Sequence, residues 1–263
     1  EDAEVTAKGG FEDIGPGLLE ISGGMELTYN PNLVARLAKA FKASAEDTDA
    51  EEAKVANVLI PVPLAYRQQV PVTYELTVNP PEAASSITIY QDTPTNYVAK
   101  VSFVPGKSKK IEINFHSVVL VGPSLFGDVP EHAKIPDAWP EEYQPWLEST
   151  WCVESQNEQI QDLCRQIRET AGDANDVMSL IAGVQEHTGK VYSKAQGMAW
   201  NLTAVAALTG RGSCTSNANL VAALVRGCNI PARISAGYPS WSGPLQTHYI
   251  VEAYVPGFGW YPI

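Results

Sequence analysis

The stretch RGSCTSNANL, residues 211–220, sets a glycine, a serine and a cysteine at the head of an apolar, helix-forming run. Cys214 falls in the first turn of that predicted helix, with Ser213 as a possible N-cap. Free N–H groups and the helix dipole favour an anion at such a place. A cysteine nucleophile works as its thiolate, and a helix N-terminus favours that form. Gly212 leaves space for a substrate backbone to approach. Neighbouring N–H groups could hold the oxyanion of a tetrahedral intermediate.

A thiolate needs a base partner, and the chain has four histidines: His116, His132, His187 and His248. His116 falls in a β-rich region, His132 in a proline-rich stretch and His187 at a helix end. None has metal-type spacing, and no CxxC or HExxH occurs, so these three read as structural. His248 opens a strand directly after a loop. In HYIVEAYV, residues 248, 250, 252 and 254 share one face. The residues alone leave two readings open: a Cys214–His248 dyad, or a buried cysteine and an ordinary surface histidine.

The elements that would position this pair follow from texture along the chain. Residues 1–54 are glycine-rich, then briefly helical, then acidic, and read as an extension or linker. Asn30-Pro31 fits an N-cap with proline at the first helical position, ahead of VARLAKAFKA. The run EDTDAEE, residues 46–52, reads as a solvated helix end. Residues 55–121 hold the β-branched runs VLIPVP, VPVTYELTV, SITIYQ, NYVAKVSFVPG and KIEINFHSVVLV, which predict a small antiparallel sandwich-like domain. The prolines of VLIPVPLAY belong on an edge strand or outside the sheet. Residues 122–142 are proline-rich and read as a linker. From 143 on, two helical stretches are expected. The first spans 143–170. The second is DVMSLIAGVQEHTG, capped by Asp173 or Asn175 and stopped by Gly189. The helix after Cys214 buries Leu220, Ala223 and Leu224. PARISAGY and THYIVEAYV are strands, and WYPI begins another, an α+β layer arrangement.

The segment from about Trp200 to Ile263 resembles the core of the transglutaminase-like superfamily, which shares the papain-like cysteine-protease fold. The blocks that carry the resemblance are GSC at 212–214, RGCNIPAR at 226–233, GY at 237–238, HYIVEAY at 248–254 and GFGWYP at 257–262. Bacterial members resemble the preceding region more loosely. The resemblance implies an α+β, papain-like core over 143–263, with Cys214 as nucleophile and His248 as general base and acid. It implies a peptide or protein substrate, no cofactor and no metal. It also implies an oxyanion donor upstream of the cysteine, for which Gln196, Trp200 and Asn201 are candidates.

Three departures stand out. Asn229 replaces the family's glycine, and asparagine tolerates a left-handed helix end. Tyr249-Ile250 replaces Ala-Trp. The triad acid is expected one residue after Ile263, so a longer natural chain is expected. Glu252 lies roughly 13 Å along the strand from His248 at about 3.3 Å per residue, too far to serve, and reads as structural.

The remaining features bound the function. A net charge of -12 argues against a nucleic-acid partner. No apolar run is long enough to span a bilayer. Cys152 and Cys164 read as core-facing thiols that could pair only across a bend, and Cys228 as buried. Trp241 is a candidate cleft wall, or else a loop anchor. The expectation is a cysteine-dependent hydrolase or acyl transferase acting through a thioester. The alternative is a non-catalytic binding or scaffold module with a degenerate site. A β-rich N-terminal region tilts localisation towards the periplasm or exterior.

Overall fold

The computed structural model describes residues 5–15, 17–28, 56–66, 69–93, 96–104, 110–122, 128–192, 202–210, 212–237 and 248–263. The chain divides into two compact units: 1–125 with 240–245, and 126–239 with 246–263. The helix expected after Pro31 and the acidic run 46–52 lie outside the described residues. No helix among the described residues is long and apolar enough to cross a membrane.

Among the described residues, the first unit is built of β-strands with one 3-10 turn at Pro81–Ala83. The five expected runs are strands β3 (Ala56–Val62), β4 (Gln69–Asn79), β5 (Ala84–Thr93), β6 (Asn96–Phe103) and β7 (Lys110–Val121). Two further strands, β1 (Val5–Gly15) and β2 (Leu18–Thr28), come from the segment expected as an extension. They form a hairpin, and β2 pairs with β7 from Leu18↔Leu120 to Thr28↔Lys110. The β-rich region therefore starts at Val5, not at Val55. Its glycines hid the strands, because glycine carries no apolar alternation to read.

One antiparallel sheet has the order β1-β2-β7-β4 and the other β3-β6-β5. Ile60, Ala99 and Val101 of one sheet share a core with Val78, Ile111 and Ile113 of the other, so the sheets face each other as a sandwich. Pro61 and Pro71 both sit on edge strands, β3 and β4, where a missing N–H costs no ladder bond.

The second unit carries helices α1 (Glu158–Thr170), α2 (Val177–Tyr192), α3 (Ala204–Ala207) and α4 (Cys214–Gly227). Its sheet has the order β10-β9-β8, with β8 Ala232–Gly237, β9 His248–Val255 and β10 Gly259–Pro262. The helix expected over 143–170 is shorter. A 3-10 turn at Glu141–Trp146 contains Pro145, and α1 begins only after Asn157, whose side chain accepts from Gln159 N–H.

The stretch read as a linker is core. Ala133, Ile135 and Trp139 are buried in the second unit's hydrophobic cluster. Asp176, not Asp173 or Asn175, caps α2, and the helix continues past Gly189 to Tyr192. Asp176 Oδ2 accepts from the Ser179 N–H (2.8 Å) and hydroxyl (2.9 Å). Its Oδ1 accepts from Ala133 N–H (2.6 Å), which binds the supposed linker to the helix. Burial pushes this carboxyl up, but the donors from Ser179 and Ala133 outweigh it and hold it below its ordinary value.

The folded Asp176 is thus the stronger acid, so its contribution is present above the unfolded value of about 3.9 and lost as pH falls through the folded one. Asp176→Ala is expected to cost about 1–3 kcal/mol at neutral pH. The difference from wild type should shrink below pH of about 4. Urea denaturation at the two pH values measures both.

Candidate active site

The site is built around α4. Ala218, Leu220, Ala222, Ala223, Leu224 and Val225 are all buried, so the helix is apolar nearly all round and central, not merely amphipathic. It packs on α1, α2, α3, β8 and β9. Cys214 is its first residue and is half-buried. Ser213 stands at the N-cap with extended backbone, and its N–H donates to Ser216 Oγ at 2.8 Å. Gly212 serves this turn. A Cβ there would lie 2.6 Å from Ser216 Oγ and 2.8 Å from Asn217 Oδ1. The space expected for a substrate backbone is taken by the helix's own first turn.

The other end of α4 sets the geometry. Asn229 adopts φ 56°, and Ile230 N–H donates to Val225 O while Asn229 N–H donates to Arg226 O. This is the paired bonding of a left-handed helix stop, and it reverses the chain into β8. The expected survival of the turn without glycine is observed. Three side chains hold it: Trp139 Nε1 donates to Asn229 O at 2.9 Å, Arg168 Nη2 to Cys228 O at 2.6 Å, and Arg226 Nε to Ala232 O at 3.0 Å.

Lengths then match. The helix of 14 residues is about 21 Å long at 1.5 Å per residue. The strand β8 of 6 residues runs about 20 Å back at 3.3 Å per residue. Its last residue, Gly237, pairs with His248.

His248 is the exposed first residue of β9. Alternation puts Val251, Ala253 and Val255 against the helices, and His248, Ile250, Glu252 and Tyr254 on the opposite face. Further along that face, Trp139, Tyr143 and Trp146 cover Tyr254 and Trp260 edge-on or tilted, with ring centroids 4.1–6.4 Å apart. A hydrogen bond with Tyr254 pushes the Tyr143 hydroxyl up. The cover stops short of Ile250 and His248, which stay exposed.

Glu252 is not the acid of the site. It is 4% exposed, and Oε2 accepts from Arg233 Nε (2.8 Å) and Ser235 Oγ (2.9 Å). The Arg233 guanidinium also lies 4.2 Å from the Trp260 ring centroid. Sequence reasoning missed Arg233 as its partner. The signal was there in antiparallel register, since Arg233 and Glu252 are directly opposite.

Asn219 was missed too. Buried in α4, it donates from Nδ2 to Leu202 O at 2.7 Å and ties the strand of chain before the cysteine to the helix. A lone polar residue inside NLVAALV was the available sign.

His116 pairs with Glu20, and His132 Nδ1 lies 3.6 Å from Asp176 Oδ2. Burial lowers His187. Gln196, Trp200, Asn201 and Trp241 lie outside the described residues.

A helix opening with cysteine, laid on an antiparallel sheet, is the α+β arrangement of the papain-like fold. Residues 161–263 match the model of the transglutaminase-like superfamily, so the second unit carries a transglutaminase-like core. A crystal structure from Cytophaga hutchinsonii, described as a "Putative Cysteine Protease", has a TM-score of 0.65 at 16% identity. The match covers 99% of this chain and 78% of that one. At that identity the likeness is one of fold. No curated protein matches the chain.

Two predictions test the scaffold. Asn229→Val forces a β-branched residue into the left-handed region and should cost more than about 1 kcal/mol, whereas Asn229→Gly should be neutral within about 0.5 kcal/mol. Arg233→Ala strands a buried carboxylate and should cost about 3–5 kcal/mol, most of it recovered in Arg233→Met with Glu252→Leu. Thermal or urea unfolding of each variant gives the comparison.

Proposed function

We propose that the protein is a cysteine-dependent amide-bond enzyme acting on a peptide or protein. Cys214 as the first residue of α4 and His248 as the first residue of β9, both within the segment that matches the transglutaminase-like core, support this reading. The transglutaminase-like match adds chemical precedent for a cysteine at that helix start.

In the proposed cycle the Cys214 proton passes to His248 and the Sγ attacks the amide carbonyl carbon. The C–N bond then breaks. His248 returns the proton to the departing amine, leaving a thioester on Cys214. Water, deprotonated by His248, attacks the thioester and releases the carboxylic acid and the thiol. An amine in place of water gives acyl transfer, and hydrolysis is the outcome we propose. We also propose that the protein works outside the cytoplasm.

The test is the pH dependence of Cys214 alkylation by iodoacetamide, followed by peptide mass spectrometry in wild type and His248→Ala. We expect wild-type alkylation to persist below pH of about 8, where an unpaired thiol is mostly protonated, and this low-pH limb to vanish in His248→Ala. Identical free-thiol profiles in the two proteins would overturn the enzyme reading in favour of a binding or scaffold module.

A further inference from the structure

Two cysteines outside the proposed chemistry lie together. The pairing considered from sequence was Cys152 with Cys164. In the structure Cys164, on α1, faces the far end of α4 instead. Its Sγ lies 3.3 Å from Leu224 O, the carbonyl that also accepts from Cys228 N–H at 2.9 Å. A Cβ on Gly227 would sit 2.5 Å from that sulfur, so only glycine lets α1 bring the thiol so close to the residue before Cys228. Cys164 is 2% exposed and Cys228 is fully buried. Arg168, one turn after Cys164, holds the Cys228 carbonyl at 2.6 Å.

We propose that Cys164 and Cys228 form a disulfide by exchange with a small-molecule disulfide, stapling α1 to the C-terminal end of the helix that begins at Cys214. Either thiol can attack first, Cys228 for example. Its thiolate displaces one thiolate from the small disulfide and forms a mixed disulfide. The Cys164 thiolate then attacks the Cys228 sulfur and releases the second. Two protein thiols are oxidised, one small disulfide is reduced to two thiols, and no other oxidant is needed.

Burial sets when this happens. The exchange belongs to folding, or to a local opening in which α1 leaves α4, and the docked helices then shield the bond from reductant. The closed loop spans about 60 residues, long enough for a large effect on the unfolded chain. The inference does not depend on the proposed catalysis, and Cys214→Ala should form the same Cys164–Cys228 link.

The full chain is reduced and unfolded, then refolded in mixed reduced and oxidised glutathione. Open thiols are trapped with iodoacetamide and the protein is digested for mass spectrometry. A Cys164–Cys228 linked peptide is expected, with Cys152 and Cys214 alkylated. Reduction should then lower the melting temperature of wild type by roughly 5–10 °C. Cys228→Ala should show no redox-dependent change, and Cys152→Ala should keep the link. Alkylation of both Cys164 and Cys228, a link to Cys152, or a lasting glutathione adduct on Cys228 would overturn the proposal. Because Cys164→Ala could fail to fold, the wild-type and Cys152→Ala peptide maps decide the matter.

Discussion

The second unit depends on one reversal. Asn229, in a left-handed conformation, stops α4 and sends the chain back as β8. Without that stop the helix would overrun and β8 would not turn back to pack on α4. The turn is secured from three directions, by Trp139 from upstream, Arg168 from α1 and Arg226 from α4 itself. Trp139 and Arg168 donate to carbonyls at the helix end, where the backbone has lost its own partners, and Arg226 donates to the first carbonyl of β8. The proposed nucleophile lies at the other end of this helix, about 20 Å from the turn.

The sheet that carries His248 is finished differently on its two faces. One face takes small and branched residues, Val251, Ala253 and Val255, which let α4 pack close. The other holds the buried Arg233–Glu252 pair beneath an aromatic cover. A buried ion pair is a weak source of net stability, because desolvation offsets much of the attraction. Its value here is register. Arg233 opposite Glu252 fixes β8 against β9, and a one-residue slip of β8 would put Arg233 on the helix-packed face and leave Glu252 buried without it.

How much was legible follows from what kind of signal each part carried. Strands β3 to β7 alternate branched and polar residues and were readable almost to their ends. Strands β1 and β2 were not, because runs such as GGFEDIG and SGG lack side chains at the positions that would show a period. The segment 128–147 misled through its prolines, which mark breaks in regular structure but do not report burial. Trp139 and Ile135 reach the core from irregular backbone, and only tertiary contact shows it. Asp176 as the cap was one residue from the expected Asn175, within the ordinary uncertainty of helix ends. At the site, Cys214 at a helix start and His248 at a strand start were both read from local pattern. The partner of Glu252 and the role of Asn219 needed neighbours distant in sequence.

The cover supplied by 128–147 has a consequence for where this unit can be cut or joined. A fragment begun at Tyr143, where regular helices were expected, would lack the Ala133–Asp176 clamp and the Trp139 bond to the reversal. It would keep every residue of the proposed chemistry and lose what holds the scaffold in shape. The natural module boundary lies upstream of Ala133, so any exchange of this core between architectures, by recombination or by design, must carry its proline-rich leader as cargo.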